Sequence, residues 1–283
     1  MPIDMHVHPL VFKEIFSQEE FAYWEKEFGM GLMGPMDWDE IEAEMNHGSI
    51  EKSVLLPLDC TTTSGGWFAT NDQVAKLVSL HSDRLIGFAS VDPHRPDALE
   101  ELQRAFDELG AKGVKLNPAK QKFMPDDPIM EPIYQLCEER NRPIIFHSGL
   151  SWEPNTPGRY CHPLVFESVL INHPELRVCL AHFAWPWVRE MVMLMLKYPN
   201  VYTDTSVLYL DSPEESMKRL FTVDMGPLWF ERSFPHQVMF ASNTPRFRAF
   251  KFKRALDEIP MRAATREALY RGNALRFMNG KEA

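Results

Sequence analysis

The 283-residue chain has little cysteine: Cys60, Cys137, Cys161 and Cys179, with no CxxC pair. Nothing in that spacing indicates a disulfide scaffold. The chain also lacks an excess of positive charge. Lys and Arg number 30 against 40 Asp and Glu, a net charge of −10, so no basic stripe is available to neutralise phosphates and a nucleic-acid partner is not expected. The densest basic run, Lys251-Phe252-Lys253-Arg254, is short and reads as a solvated helix face. No apolar stretch is long enough to span a bilayer, so no membrane partner is expected. No glycine-rich phosphate loop follows the first strand-like segment, which argues against an open doubly wound sheet. The N-terminus enters Pro2-Ile3-Asp4-Met5-His6 without a leader, and a cytoplasmic protein with reduced thiols is the expectation.

What is present is an alternation. Strand-like runs fall at Ile3–His8, Lys52–Leu58, Leu85–Val91, Ala111–Leu116, Pro143–His147, Arg177–His182, Val201–Thr205 and Gln237–Ser242. Turn residues such as Asp92-Pro93, Asn117-Pro118 and Ser148-Gly149 bound them. Between them lie amphipathic segments, including Pro96–Leu109, Ile129–Arg140, His162–Asn172 and Val188–Tyr198. Eight such units in one domain over residues 1–283 predict an α/β fold, a TIM (β/α)8 barrel. The aromatic- and Met-rich stretch Val11–Trp38 interrupts the pattern and reads as an inserted cap between the first strand and its helix, or as a surface-packing helix. Helix Val188–Leu196, with Met191, Met193 and Met195, is a candidate homodimer face or an ordinary barrel helix.

Side chains two apart on a strand share a face. In Asp4-Met5-His6-Val7-His8 this predicts Asp4, His6 and His8 on the barrel axis and Ile3, Met5 and Val7 against the helices. His147 and His182 each close another apolar strand. Four of the ten histidines thus sit at three strand ends, where barrel active sites are built, and HxH spacing suits chelation of one ion. His47, His81, His94, His173 and His236 fall in helices or turns and read as solvated.

This pattern, with the ending Arg271-Gly272-Asn273-Ala274-Leu275-Arg276-Phe277, resembles the amidohydrolase superfamily. It is similar to the branch that includes aminocarboxymuconate-semialdehyde decarboxylase, resorcylate decarboxylases and pyrone-dicarboxylate lactonase. The resemblance runs from Ile3 to Met278. It implies that His6, His8 and His147 ligate one divalent metal, zinc first and manganese second. It implies that His182 lies just outside the metal to bind substrate or move a proton. The branch also carries an aspartate after the last strand, where Ala241-Ser242-Asn243-Thr244-Pro245 has Asn243. An amide is a neutral, weaker ligand and no base at neutral pH. Three readings follow: a retained metal with His182 as base, a metal-free site in which the histidines polarise substrate, or a loss of activity, natural or engineered. Asp204 and Asp92 are candidate replacement carboxylates. The alternation of Asp204 with Thr203 and Thr205 leaves its direction undecided.

Lys115 ends the fourth strand as a substrate contact or a buried ion-paired lysine. Arg159 and Arg246, on loops after strands, are candidate carboxylate clamps. Trp185, with Trp67, Trp152 and Trp187, is a candidate wall for an apolar pocket. The reaction expected first is metal-dependent hydrolysis of a small carboxylate-bearing lactone or amide. The alternative is nonoxidative decarboxylation of an aromatic or unsaturated acid, which needs no attacking water and so tolerates Asn243 better. A non-catalytic binding barrel is the third reading.

Overall fold

In a computed structural model of the protein, residues 1–28, 34–63, 66–151, 155–206, 212–226 and 228–280 are described. Among the described residues ten strands form: β1 (Ile3–Val7), β2 (Lys52–Leu55), β3 (Leu58–Cys60), β4 (Gly66–Phe68), β5 (Leu85–Gly87), β6 (Val114–Leu116), β7 (Ile144–Phe146), β8 (Val178–Leu180), β9 (Val201–Asp204) and β10 (Val238–Met239). Eight of these are the strands read from the sequence. They make two parallel arrays, β1-β2-β5 and β6-β7-β8-β9-β10.

Backbone bonds cross both seams between the arrays. Beside β5, the Ala89 N–H donates to the Gly113 carbonyl (2.9 Å) and the Lys115 N–H donates to the Ala89 carbonyl (2.8 Å). At the other seam the Met5 N–H donates to the Phe240 carbonyl (3.0 Å), and the His8 N–H to the Thr244 carbonyl (2.8 Å). The result is a TIM barrel. Helices such as Ala98–Asp107, Glu131–Glu139 and Val188–Lys197 lie between the strands where amphipathic spacing places them. On the last of these, Met191 and Met195 are buried while Met193 and Leu196 are exposed.

Two apolar clusters divide the strand residues by parity. Val7, Leu55, Val114, Leu116, Ile144, Phe146, Val178 and Leu180 pack against the helices. Ile3, Met5, Val54, Ile145, Cys179, Tyr202 and Met239 fill the lumen, with Ala274, Phe277 and Met278 of the C-terminal helix Asn273–Asn279 packed on them.

The lumen corrects the parity expected for β1. Ile3 and Met5 point inward, whereas Asp4 is turned to Ser242, whose hydroxyl and N–H it accepts. The register of β1 on β2 shifts between Asp4 and Val7. That irregularity inserts a residue and reverses the alternation, so adjacent Met5 and His6 both enter the barrel.

The segment after β1 contains helix Gln18–Phe28, whose Trp24 is buried against Leu10, Leu58, Cys60 and Phe68. Three of those partners belong to the antiparallel hairpin β3–β4, which the sequence reading missed. Each hairpin strand is three residues long, and apolar Leu58 continues β2 without a polar break. All four cysteines are buried as reduced thiols. His173, expected in solvent, is only 6% exposed and bonded by Glu138 (2.9 Å). No helix among the described residues is long and apolar enough to cross a membrane.

Candidate active site

His6, His8, His147 and His182 meet at the carboxyl ends of the strands. The ring of His6 lies 5.1 Å from that of His8 and 4.8 Å from that of His182, centre to centre. His147 lies 5.0 Å from His182. His6 and His8 come from the end of β1, and His147 follows β7. His182 follows β8 by a different device. Ala181 already points into the lumen, so straight continuation would carry His182 outward. Instead His182, Phe183 and Ala184 all adopt positive φ (64°, 50° and 50°), and this left-handed turn brings the imidazole back over the barrel.

Each ring is anchored through at least one nitrogen. His6 Nδ1 is 3.0 Å from Asp204 Oδ2, and His8 Nδ1 is 2.9 Å from the Leu56 carbonyl. His147 Nε2 is 3.1 Å from the Leu150 carbonyl, and His182 Nδ1 is 2.7 Å from the Ser206 hydroxyl. A carboxylate or carbonyl partner can only accept, so His6 and His8 carry their proton on Nδ1 and His147 carries it on Nε2. On His6 and His8 the opposite nitrogen, Nε2, is the one a ligand would use.

Burial holds His6 and His182 well below the usual histidine range and lowers His8 to about 4. Neutral imidazoles are the form that binds metals.

His6 Nε2 is buried and has no hydrogen-bond partner. Such an orphan is uncommon in a folded interior and is available to a ligand. Lys115 Nζ is a second one. It enters the lumen from β6, where neighbouring Val114 and Leu116 face the helices, and its side chain is buried without the ion-pair partner that one sequence reading assigned to it. Burial lowers its pKa to about 8, although Asp204 pulls the other way. Its charge in turn acts on His6 and His8.

The donor set fits a divalent cation, since imidazole nitrogen suits zinc and several other transition metals. The metal-capable group that comes together among the described residues is His6, His182 and Asp204, with ligand atoms within 4.8 Å of one another; His8 and His147, expected as ligands beside His6, are not part of it. An ion bound through His6 Nδ1 there would have to displace the existing bond to Asp204. The orphan Nε2 offers an ion a place without that loss.

Asn243 is buried with φ 65°, and its N–H donates to the His6 carbonyl at 3.0 Å. Arg159 and Arg246 are exposed. Trp185 and Trp187 are half-buried, as is Trp67 on β4; Trp152 lies outside the described residues. Phe68 of the hairpin packs edge-on against His8 at 5.4 Å. Asp92 is a turn residue: it accepts from the His94 N–H (3.1 Å) and from Thr62.

Sequence reasoning left Asp204 undecided and missed Ser206. Tyr202 lies in the lumen cluster, so Asp204, two residues on, faces the same way. Its Oδ1 accepts from the His182 N–H at 2.9 Å and from the Ser206 hydroxyl.

Comparison with known proteins identifies the family and agrees on the barrel fold. The amidohydrolase family model matches residues 3–279. A 2-amino-3-carboxymuconate-6-semialdehyde decarboxylase of Dictyostelium discoideum is 28% identical over 128 residues, 40% of this chain and 36% of that one. The matched stretch thus spans little more than a third of that relative. An uncharacterised TIM-barrel protein of Bordetella bronchiseptica superposes with TM-score 0.80 at 20% identity, covering 100% of this chain and 99% of that one. A 5-carboxyvanillate decarboxylase of Novosphingobium aromaticivorans, solved as an aspartate-to-asparagine variant with bound manganese, superposes with TM-score 0.67 at 18% identity, covering 98% and 97%. At these identities the two structures speak for the fold alone.

Proposed function

The chain belongs to the amidohydrolase family, and on that premise we propose that it is a metal-dependent decarboxylase of a small aromatic or unsaturated carboxylic acid. The observation that carries this reading is the pair of orphaned polar atoms in one buried site, His6 Nε2 and Lys115 Nζ. The first calls for a cation and the second for an anion. A carboxylate substrate bound at a metal centre supplies both.

His6, His8 and His147 would hold the ion, zinc or manganese; the manganese of the similar decarboxylase supports the latter. The bound ion would supply a Lewis acid that fixes the substrate and stabilises developing negative charge. Lys115 would pair with the carboxylate or a neighbouring oxygen of the substrate. As the C–C bond to the carboxyl group breaks, its electron pair stays on the substrate carbon and CO2 departs. His182 would take a proton from solvent on Nε2 and pass it to that carbon, its Nδ1–H staying on Ser206. Asn243, held against His6 by its backbone, would keep that strand end in place and orient substrate. Trp185 and the exposed Arg159 and Arg246 would line the entrance.

Decarboxylation moves ahead of hydrolysis for two reasons. One curated relative is a decarboxylase. Hydrolysis also needs a base for the attacking water; Asn243 is not one, which leaves that role to His182 alone. The test is incubation of zinc- and manganese-loaded protein with hydroxybenzoates, muconate-type acids, lactones and amides in deuterated water. Loss of a carboxyl group with one deuterium on the product carbon supports the proposal. Ring-opened lactone or cleaved amide with the carboxyl retained overturns it in favour of hydrolysis.

A further inference from the structure

Asp204 is the one carboxylate among the described residues that bonds an imidazole of the cluster. It is fully buried at the last position of β9. It uses both oxygens: Oδ2 on His6 Nδ1, and Oδ1 on the His182 N–H, the Ser206 N–H (3.1 Å) and the Ser206 hydroxyl. That hydroxyl also lies 2.7 Å from His182 Nδ1. Because Ser206 donates to the carboxylate, its oxygen is left to accept from His182. One carboxylate therefore sets the proton position on both rings.

We propose that Asp204 is the positioning residue of the site, acting on a bound ion through His6 and on the proton-carrying ring through Ser206 and the His182 backbone. It fixes the Nδ1–H form of His6, so that Nε2 is the ligand atom. It also lends its charge to that imidazole, which raises the ring's basicity toward a cation. With Asn243 neutral, Asp204 is the anion that offsets the ion's charge in the described site. The proposal rests on the metal reading for its effect on ion binding. The proton placement on His6 stands apart from it.

The experiment has two arms. In metal-free protein labelled with 15N-histidine, long-range nitrogen–proton spectra locate the His6 proton. The expected result is Nδ1–H in the unaltered protein; a proton on Nε2 overturns the proposal, and this arm requires no variant to fold. In the second arm, zinc and manganese affinities are measured by chelator competition for the unaltered protein and Asp204→Asn. A loss of about 10- to 100-fold, with the metal-free melting temperature little changed, supports the positioning role. Equal affinity in the two proteins overturns it. If the unaltered protein binds neither ion, the metal reading fails. The inference about Asp204 is then decided by the His6 spectrum.

Discussion

His6 Nδ1 and Asp204 Oδ2 lie 3.0 Å apart, joining the end of β1 to the end of β9 across the mouth of the barrel. Both side chains are buried, so water does not compete for the bond. The consequence is directional: with Nδ1 committed to the carboxylate, Nε2 is turned into the site and has no partner there.

Lys115 makes stability depend on pH in a definite direction. Its ammonium is buried without a partner, and its pKa falls from 10.5 to about 8. Between those values the unfolded chain holds the extra proton, so stability rises as pH rises through the window and is lost as pH falls through 8. Lys115→Met should therefore stabilise metal-free protein at pH 7, by on the order of 3 kcal/mol at most. The advantage should vanish near pH 10.5, as read by urea unfolding at several pH values. A constant difference across that range would refute the assignment.

Gly149 follows the His147 strand end with φ 90°, and an added Cβ would lie 2.3 Å from the Trp185 carbonyl oxygen. The Leu150 N–H donates to that same carbonyl at 2.7 Å, while the Leu150 carbonyl holds His147. Gly149→Ala should cost about 1–3 kcal/mol from the backbone conformation alone, and more from the clash. It should also weaken metal binding through displacement of His147. Denaturant unfolding and chelator competition report the two effects; an unchanged midpoint would show that this loop does not hold the ring.

Asn243→Asp introduces a carboxylate at a position whose N–H is bonded to the His6 carbonyl. An added negative charge near a divalent ion is worth more than a kcal/mol even at a high effective dielectric. The variant should bind zinc or manganese about tenfold or more tightly, by the same competition assay. Weaker binding in the variant would mean that position 243 does not face the ion.

Much of this was legible in the sequence because barrel strands are short apolar runs with turns at their ends. All eight appear where that pattern puts them, and the four histidines stand out as polar residues ending apolar runs. Strict alternation failed at β1, because a bulge leaves no mark in a string of five mixed residues. It also failed at Asp204, because Thr203 and Thr205 are as polar as the residue between them. The left-handed turn at His182–Ala184 has no glycine or asparagine to announce it. The hairpin β3–β4 is set by packing of Leu58, Cys60 and Phe68 on Trp24, a contact between distant segments.

The most direct test of the central claim is the metal content of purified protein after loading with zinc or manganese and desalting, compared with His6→Ala and His147→Ala. The account predicts about one ion per chain in the unaltered protein and far less in either variant. No bound ion in the unaltered protein, or the same content in all three, would contradict it.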